Sequence, residues 1–447
     1  MKTLLDLAHA LRTGATTSRA LTEEALARAE DKAGEGARVF TRLYREQALA
    51  EAEASDRLRR SGVAPAPLAG LPISIKDLFD VAGETTLAGS VVRKGEPAAK
   101  ADAPIVRRLR AAGAVIVGRT NMTEFAFSGL GLNPHYGTPL NPWDRKTGRI
   151  PGGSSSGAAV SVTDGMAAAA IGTDTGGSVR IPSALCGLTG LKPTARRVPT
   201  EGTFPLSATL DSIGPLAPSV ACCALLDAVM AGEQPTVPDA LPIEGLRLGA
   251  VQHYVLDDLD STVAATYGAA LSRLSAAGAR VVDVPFPELD TLPAINAKGG
   301  IVTAEAYAIH RKALADSEAR YDPRVSARIK RGASQDSADY IDLLSARRDL
   351  IARAAAISAP FDALVMPTVP VVAPALEPLE KDDALYAKTN ALVLRNPSAF
   401  NFLDRCALSL PCHAPGEAPV GLMLVGEHGG DRRLLSVGLA VEAALRR

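Results

Sequence analysis

Apolar and polar positions change rhythm along the chain. Over residues 1–65, Leu and Ala recur at three- and four-residue spacing among Glu and Arg, which predicts a helical lead-in, with Ser18, Thr22, Glu23 and Glu24 marking one helix start. The opening stretch MKTLLDLAHALRTG reads as an amphipathic helix, because Asp6 and His9 interrupt its apolar run and no cleavage site follows. From Leu71 the texture differs. LPISIK is a short apolar run bounded by Gly70 and Asp77, which predicts a buried strand ending at Lys76. A helix over DAPIVRRLRAAG and a strand over AVIVG follow. Further on, LRLGAV, ARVVDVP, DALVMPTVPV and VGLMLVG read as buried strands, with STVAATYGAALSRLSAAG and RRLLSVGLAVEAALRR as helices. The alternation predicts an α/β fold.

Two regions break this pattern. Residues 148–190 are rich in Gly, Ser and Thr yet keep apolar segments such as GMAAAAIG, too apolar for a linker and too glycine-rich for a plain helix. Residues 293–355 are charged and helical with no strand signal, which suits either a surface helical hairpin or a variable cap over a site.

Composition narrows the classes. The chain has 447 residues, 47% hydrophobic and 22% charged, able to bury a large core. Lys plus Arg number 48 against 49 for Asp plus Glu, so no bulk charge points to nucleic acid or an anionic membrane. A small uncharged or zwitterionic substrate suits that balance. No apolar run approaches the roughly 18–20 residues of a membrane span. The five cysteines, Cys186, Cys222, Cys223, Cys406 and Cys412, contain no C-x-x-C pair and read as reduced thiols of a cytoplasmic protein.

The chemistry concentrates in the glycine-rich region. IPGGSSSGAAVSV sets Gly152, Gly153 and Gly157 around Ser154, Ser155 and Ser156, a backbone able to approach a ligand closely. GTDTGGSVRIP places Gly176 and Gly177 before Ser178, where successive N–H groups could face one oxyanion. Neither segment completes a phosphate-binding loop. Residues 153–157 satisfy G-x-S-x-G formally, with His413 or His428 as a base, but NPWDRKTGRIP ahead of them is polar and loop-like where a nucleophile elbow needs an apolar strand. Lys146, Thr147 and Gly148 spell K-T-G, yet no lysine has a serine three residues before it, as a penicillin-binding site requires. A lysine remains as the activator of a serine, and Lys76 is best placed for burial, which can lower an amine pKa by up to about 3–5 units. Taken alone, the same lysine could instead pair with Asp77 or Asp80 at the surface.

The strings GGSSSGAAVSV and GTDTGGSVRIPSALCGLTGLKPT, with Asp174, Ser178, Arg180 and Pro182 in place, resemble the amidase signature family. GLPISIKD, GRTNMTEFA, LDSIGPLA, NFLDRCALSLPC and PVGLMLVG extend the resemblance over nearly the whole chain. It implies a single α/β domain, 1–447, with a large mixed twisted sheet covered by helices on both faces and a catalytic core at about 66–215.

The resemblance further implies Ser178 as nucleophile, Ser154 bridging it to the base Lys76 behind a cis peptide bond, and Thr175, Gly176, Gly177 and Ser178 as oxyanion donors. Phe125, Ala126 and Phe127 would line the acyl pocket. Asp174 and Arg180 would fix the loop, or Arg180 would meet a substrate carboxylate as in some relatives. Ser155 and Thr173 would support the catalytic set by hydrogen bonding. Proton relay from Ser178 through Ser154 to Lys76, acyl-enzyme formation and hydrolysis require no metal or organic cofactor. The family serves amides, ureides, carbamates and glutamine, and homodimers are common in it. One alternative within the family is the glutaminase component of the tRNA-dependent amidotransferase, its A-type chain, which works with partners; residues 194–215 depart from the form of that chain. Cys222 follows Ala221 where many relatives carry an acidic residue, a departure that bears on packing. A catalytically inactive binding protein on this fold is the remaining alternative, and retention of Lys76, Ser154 and Ser178 together speaks against it.

Overall fold

The computed structural model describes residues 1–63 and 65–446. Its strands are β1 (Phe40–Leu43), β2 (Pro72–Lys76), β3 (Val115–Thr120), β4 (Ala169–Asp174), β5 (Thr189–Lys192), β6 (Ser212–Ala217), β7 (Arg247–Val251), β8 (Arg280–Val284), β9 (Ala363–Pro367), β10 (Ala407–Pro411) and β11 (Gly421–Val425). They form one mixed sheet in the order β1-β3-β2-β4-β6-β5-β10-β11-β9-β7-β8. Every residue of β2, β3, β4, β6, β9 and β11 is buried, so helices cover the sheet on both faces. Only the edges are wetter: β1 and β8 alternate or expose their side chains.

Each apolar run singled out above is a strand here, though ARVVDVP, expected to be buried, forms the edge strand β8 and buries only Val284 of its five residues; the three segments read as helices are Pro104–Ala111, Ser261–Ala276 and Asp431–Leu445. The opening segment is the helix Leu4–Thr13, whose Leu4, Leu7 and Leu11 are buried and whose Thr3 and Asp6 form a reciprocal cap. The lead-in as a whole is not purely helical, because β1 interrupts it and pairs antiparallel with β3. The second helix begins at Ser18, capped by Thr17, whose side chain accepts the N–H of Ala20 at 3.1 Å.

Four central strands, β4, β5, β6 and β10, are not among those runs. In β6, Gly214 and Pro215 lie opposite Gly172 and Ile171 of β4, and a proline there removes one ladder donor. β5 is a four-residue strand, TGLK, between β6 and β10. Residues 293–355 contain the helices Gly300–Ser317 and Pro323–Lys330 and most of Ser337–Ser358, with no strand among the described residues. Also among these residues, no helix is long and apolar enough to cross a membrane, and all five cysteines are buried and unpaired.

What positions the site is the parallel trio β3-β2-β4. Parallel strands bring their carboxyl ends to the same edge, and at that edge stand Lys76 of β2 and Thr173 and Asp174 of β4.

Candidate active site

Lys76 is fully buried at the end of β2, and its Nζ donates to Ser154 Oγ at 2.8 Å and to Thr173 Oγ1 at 2.9 Å. Burial pulls its pKa down to about 7, against the charges of Asp174 and Asp211, which act to raise it. A large part of the population therefore carries a free amine at neutral pH. The surface pairing with Asp77 or Asp80 does not occur. Asp77 is buried and accepts from Arg119 Nε at 2.7 Å, while Asp80 accepts from Thr86 Oγ1 at 2.5 Å.

Ser154 sits on the loop ahead of the helix Ser156–Thr163, and the Gly153–Ser154 peptide bond is cis. Glycine is required at 153, since a Cβ there would lie 2.5 Å from the backbone nitrogen of Gly131. The Ser154 loop is tied to the Ser178 loop by the N–H of Ser155, which donates to the Ser178 carbonyl at 3.3 Å. Ser155 Oγ donates to the Thr173 carbonyl at 3.4 Å. Lys76, Ser154 and Thr173 are thus in direct contact. Among the described residues no hydrogen bond joins the hydroxyls of Ser154 and Ser178, and Ser178 faces a cavity of about 330 Å³.

Asp174 organises the Ser178 loop. Its Oδ1 accepts from the N–H of Gly177 at 2.8 Å, and its Oδ2 from the N–H of Val179 at 3.1 Å and of Arg180 at 3.3 Å. The Arg180 guanidinium closes a two-pronged pair on the same carboxylate, at 3.0 and 2.9 Å, and Asn401 Nδ2 adds a bond at 2.9 Å. Burial would raise the Asp174 pKa, but Arg180 and these donors hold it well below the usual carboxylate range.

Two expected roles change with this network. Gly177 gives its N–H to Asp174, so of the expected oxyanion donors it is the one already engaged; Thr175, Gly176 and Ser178 line the cavity. Gly177 has φ +124°, and a Cβ there would meet Pro397 Cβ at 2.6 Å, so its contribution is the turn itself. Arg180 is entirely buried, directs its guanidinium at Asp174, Asn401 and the Pro397 carbonyl, and does not line the cavity, which is loop-fixing geometry rather than that of a carboxylate contact.

Ala126 and Phe127 line the cavity, whereas Phe125 stands behind the wall, packed on His310 at 4.3 Å and on Phe204 and Tyr321 at 5.3 Å between ring centroids. Phe125 and Ala126 have φ of 50° and 60°, left-handed values that cost about 1–3 kcal/mol each where side chains are present. The two histidines of the elbow reading lie elsewhere: His413 Nδ1 faces the Val420 backbone and His428 Nδ1 the Asp404 carbonyl.

The helical segment 293–355 does reach the site. Pro293, Asn296, Ile301, Val302, Thr303 and Arg328 line the cavity. Arg328 has no place in the sequence reading, because PRVSARIK looks like any amphipathic surface helix. Its Nη1 donates to the Phe127 carbonyl at 2.7 Å, and its guanidinium lies 4.4 Å over the Phe127 ring. Burial lowers its pKa to about 10, which leaves it charged at neutral pH, and among the described residues it forms no ion pair. The rest of the wall is mostly apolar, with Leu206, Leu210, Tyr254, Leu394 and Phe402.

A mixed α/β fold with a desolvated amine against a serine at the strand ends agrees with what the resemblance to the amidase signature family implies. The amidase family model matches residues 20–435. The chain is 38% identical to a 2-amino-5-chloromuconic acid deaminase of Comamonas testosteroni, over 89% of this chain and 87% of that protein. It is 36% identical to the A-type chain of the glutamyl-tRNA(Gln) amidotransferase of Chloroflexus aggregans, over 98% and 95% of the two chains. A crystal structure of an amidase superposes with a TM-score of 0.88 at 35% identity, covering 99% of each chain. This chain belongs to the amidase family, and it is a hydrolase of carbon–nitrogen bonds other than peptide bonds.

Proposed function

We propose that this enzyme hydrolyses the C–N bond of a small amide that carries a carboxylate, with Ser178 as nucleophile and Lys76 as base acting through Ser154. The observation that carries the reading is the fully buried Lys76 amine, 2.8 Å from Ser154 Oγ, on a loop bonded to that of Ser178. The neutral amine takes the Ser154 proton as Ser154 takes that of Ser178, and the Ser178 oxygen attacks the carbonyl carbon. The N–H groups of Thr175, Gly176 and Ser178 receive the oxyanion. The proton then returns along the same path to the leaving nitrogen, and water cleaves the acyl-enzyme.

The carboxylate enters the reading through Arg328, a half-buried charged guanidinium without a carboxylate partner among the described residues, whose cavity wall offers otherwise only neutral side chains. Burying such a cation is costly unless a ligand completes it. The relative from Comamonas testosteroni is named for an acid. We further place the protein in the cytoplasm, consistent with its unpaired cysteines, and as a homodimer, on the family resemblance alone.

The similarity to an amidotransferase chain keeps a glutaminase reading in view. Release of ammonia or amine by the purified chain from a panel of amide acids, neutral amides, ureides, carbamates and glutamine separates the two. Turnover of amide acids without partners, lost in Ser178→Ala together with fluorophosphonate labelling, supports the proposal. Cleavage of glutamine alone, and only with companion chains and tRNA, replaces it with the glutaminase.

A further inference from the structure

Behind the oxyanion loop lies a pair of carboxylates that the reaction above does not use. Asp211, immediately before β6, accepts the Thr175 hydroxyl on Oδ1 at 2.5 Å, and on Oδ2 the N–H groups of Leu206 at 3.0 Å and Ser207 at 3.1 Å. Glu305, on the helix Gly300–Ser317, takes up the same loop from the other side. It accepts the hydroxyls of Ser207 and Thr209, the Thr209 N–H at 3.2 Å, and the Tyr340 hydroxyl at 2.7 Å. A continuous run of hydrogen bonds therefore leads from the helical segment, through residues 206–211, to Thr175. Both ends touch the cavity, which Thr175 lines at one and Val302 and Thr303 of the Glu305 helix at the other, and Leu206 and Leu210 line it between them.

We propose that Asp211 is a positioning residue for hydrolysis, fixing Thr175 in the oxyanion loop, and that Glu305 is the strut by which the helical segment holds the Asp211 loop in place. The inference rests on the Ser178 reading. A donor in an oxyanion site is effective only when its direction is set before charge develops, and a hydrogen bond to a carboxylate is the stronger kind of tether. Asp211 has a second effect through charge. The charged groups facing Lys76 are Asp174 and Asp211; Asp174 is compensated by Arg180 and Lys192, whereas Asp211, apart from Lys76 itself, feels the like charge of Glu305. Removing the Asp211 charge takes away a group that helps hold the proton on Lys76.

The test is steady-state kinetics of the full chain, wild type against Asp211→Asn and Glu305→Gln, on any amide the wild type cleaves. For Asp211→Asn, kcat should fall on the order of ten-fold or more with KM little changed, and the acid limb of kcat/KM should move to lower pH. Glu305→Gln should lower kcat less, again without a change in KM. A kcat close to wild type with an unmoved acid limb, or a loss confined to KM, overturns the inference. If Asp211→Asn does not fold, the half-buried Glu305 decides: unchanged kcat in Glu305→Gln overturns the strut, and a kcat-only loss supports it. Ser178→Ala keeps the two readings apart. Activity surviving in Ser178→Ala defeats the nucleophile assignment, while an inactive Ser178→Ala beside a wild-type-like Asp211→Asn defeats this inference alone.

Discussion

The amine of Lys76 and the hydroxyl of Ser154 are 2.8 Å apart with no exposed surface on either residue. On the proposed mechanism this pair ties activity to pH. With burial pulling the lysine pKa to about 7, kcat/KM should rise as pH increases through neutrality, because only the free amine accepts a proton. Lys76→Ala should lower the rate by about 10²–10⁴-fold and remove that limb, with partial recovery at high pH where hydroxide substitutes. A pH–rate profile of the variant that overlays the wild type would remove lysine from the mechanism.

Asp174 and Arg180 form a fully buried pair whose members also hold three backbone N–H groups of the Ser178 loop. Asp174→Ala leaves an uncompensated guanidinium in the core and should destabilise the fold by about 3–5 kcal/mol. Urea unfolding at neutral pH measures this, and fluorophosphonate labelling of Ser178 should fall in parallel. The sign with pH is fixed by the depressed carboxyl: its stabilisation is complete above the ordinary aspartate value and is lost only in strong acid, as pH falls through the folded value. An equally stable, fully labelled variant would show that the loop does not depend on this pair.

Much of this site is legible in sequence because its parts are local. Residues 150–182 hold both serines, the glycine turn and the aspartate–arginine pair, and LPISIK marks a buried strand end whose last residue is a lysine. The apolar runs likewise mark β2, β3, β7, β8, β9 and β11. What resists reading is what depends on the third dimension. Arg328 meets Phe127 across about two hundred positions, and Glu305 meets Ser207 across about a hundred; no spacing encodes either contact. β6 hides behind Gly214 and Pro215, and β1 is four residues inside helical texture. Gly177 shows a subtler limit: its place in the turn before Ser178 is legible, but its N–H direction toward Asp174 is not.

Arg328 sets the third prediction. If it binds a substrate carboxylate in a low-dielectric wall, Arg328→Met should cost about 1.5–3 kcal/mol in kcat/KM for an amide acid, roughly 10- to 150-fold, mainly through KM. The corresponding neutral primary amide should be affected far less. Measuring both substrates on both proteins isolates the charge, because loss of packing on Phe127 would slow them alike. Equal losses would return Arg328 to a structural role.

The last prediction concerns stability, where Lys76 works against the fold. Its pKa is about 7 in the native state and near the ordinary 10.5 when unfolded. Below pH 7 both states bind the proton, and the folded protein bears the full cost of a buried ammonium. Between pH 7 and 10.5 the unfolded chain binds more protons than the folded one, so stability should rise with pH. Lys76→Met fills similar space without a charge. At pH 6–7 it should be more stable than the wild type by on the order of a few kcal/mol, less what the lost bonds to Ser154 and Thr173 contributed. The gap should narrow as pH approaches 10. Denaturant titrations of both proteins at several pH values measure it, and a gap independent of pH would mean that the lysine is not desolvated in the native enzyme. A protein that becomes more stable when its base is removed would show directly that the buried amine is maintained for reaction rather than for folding.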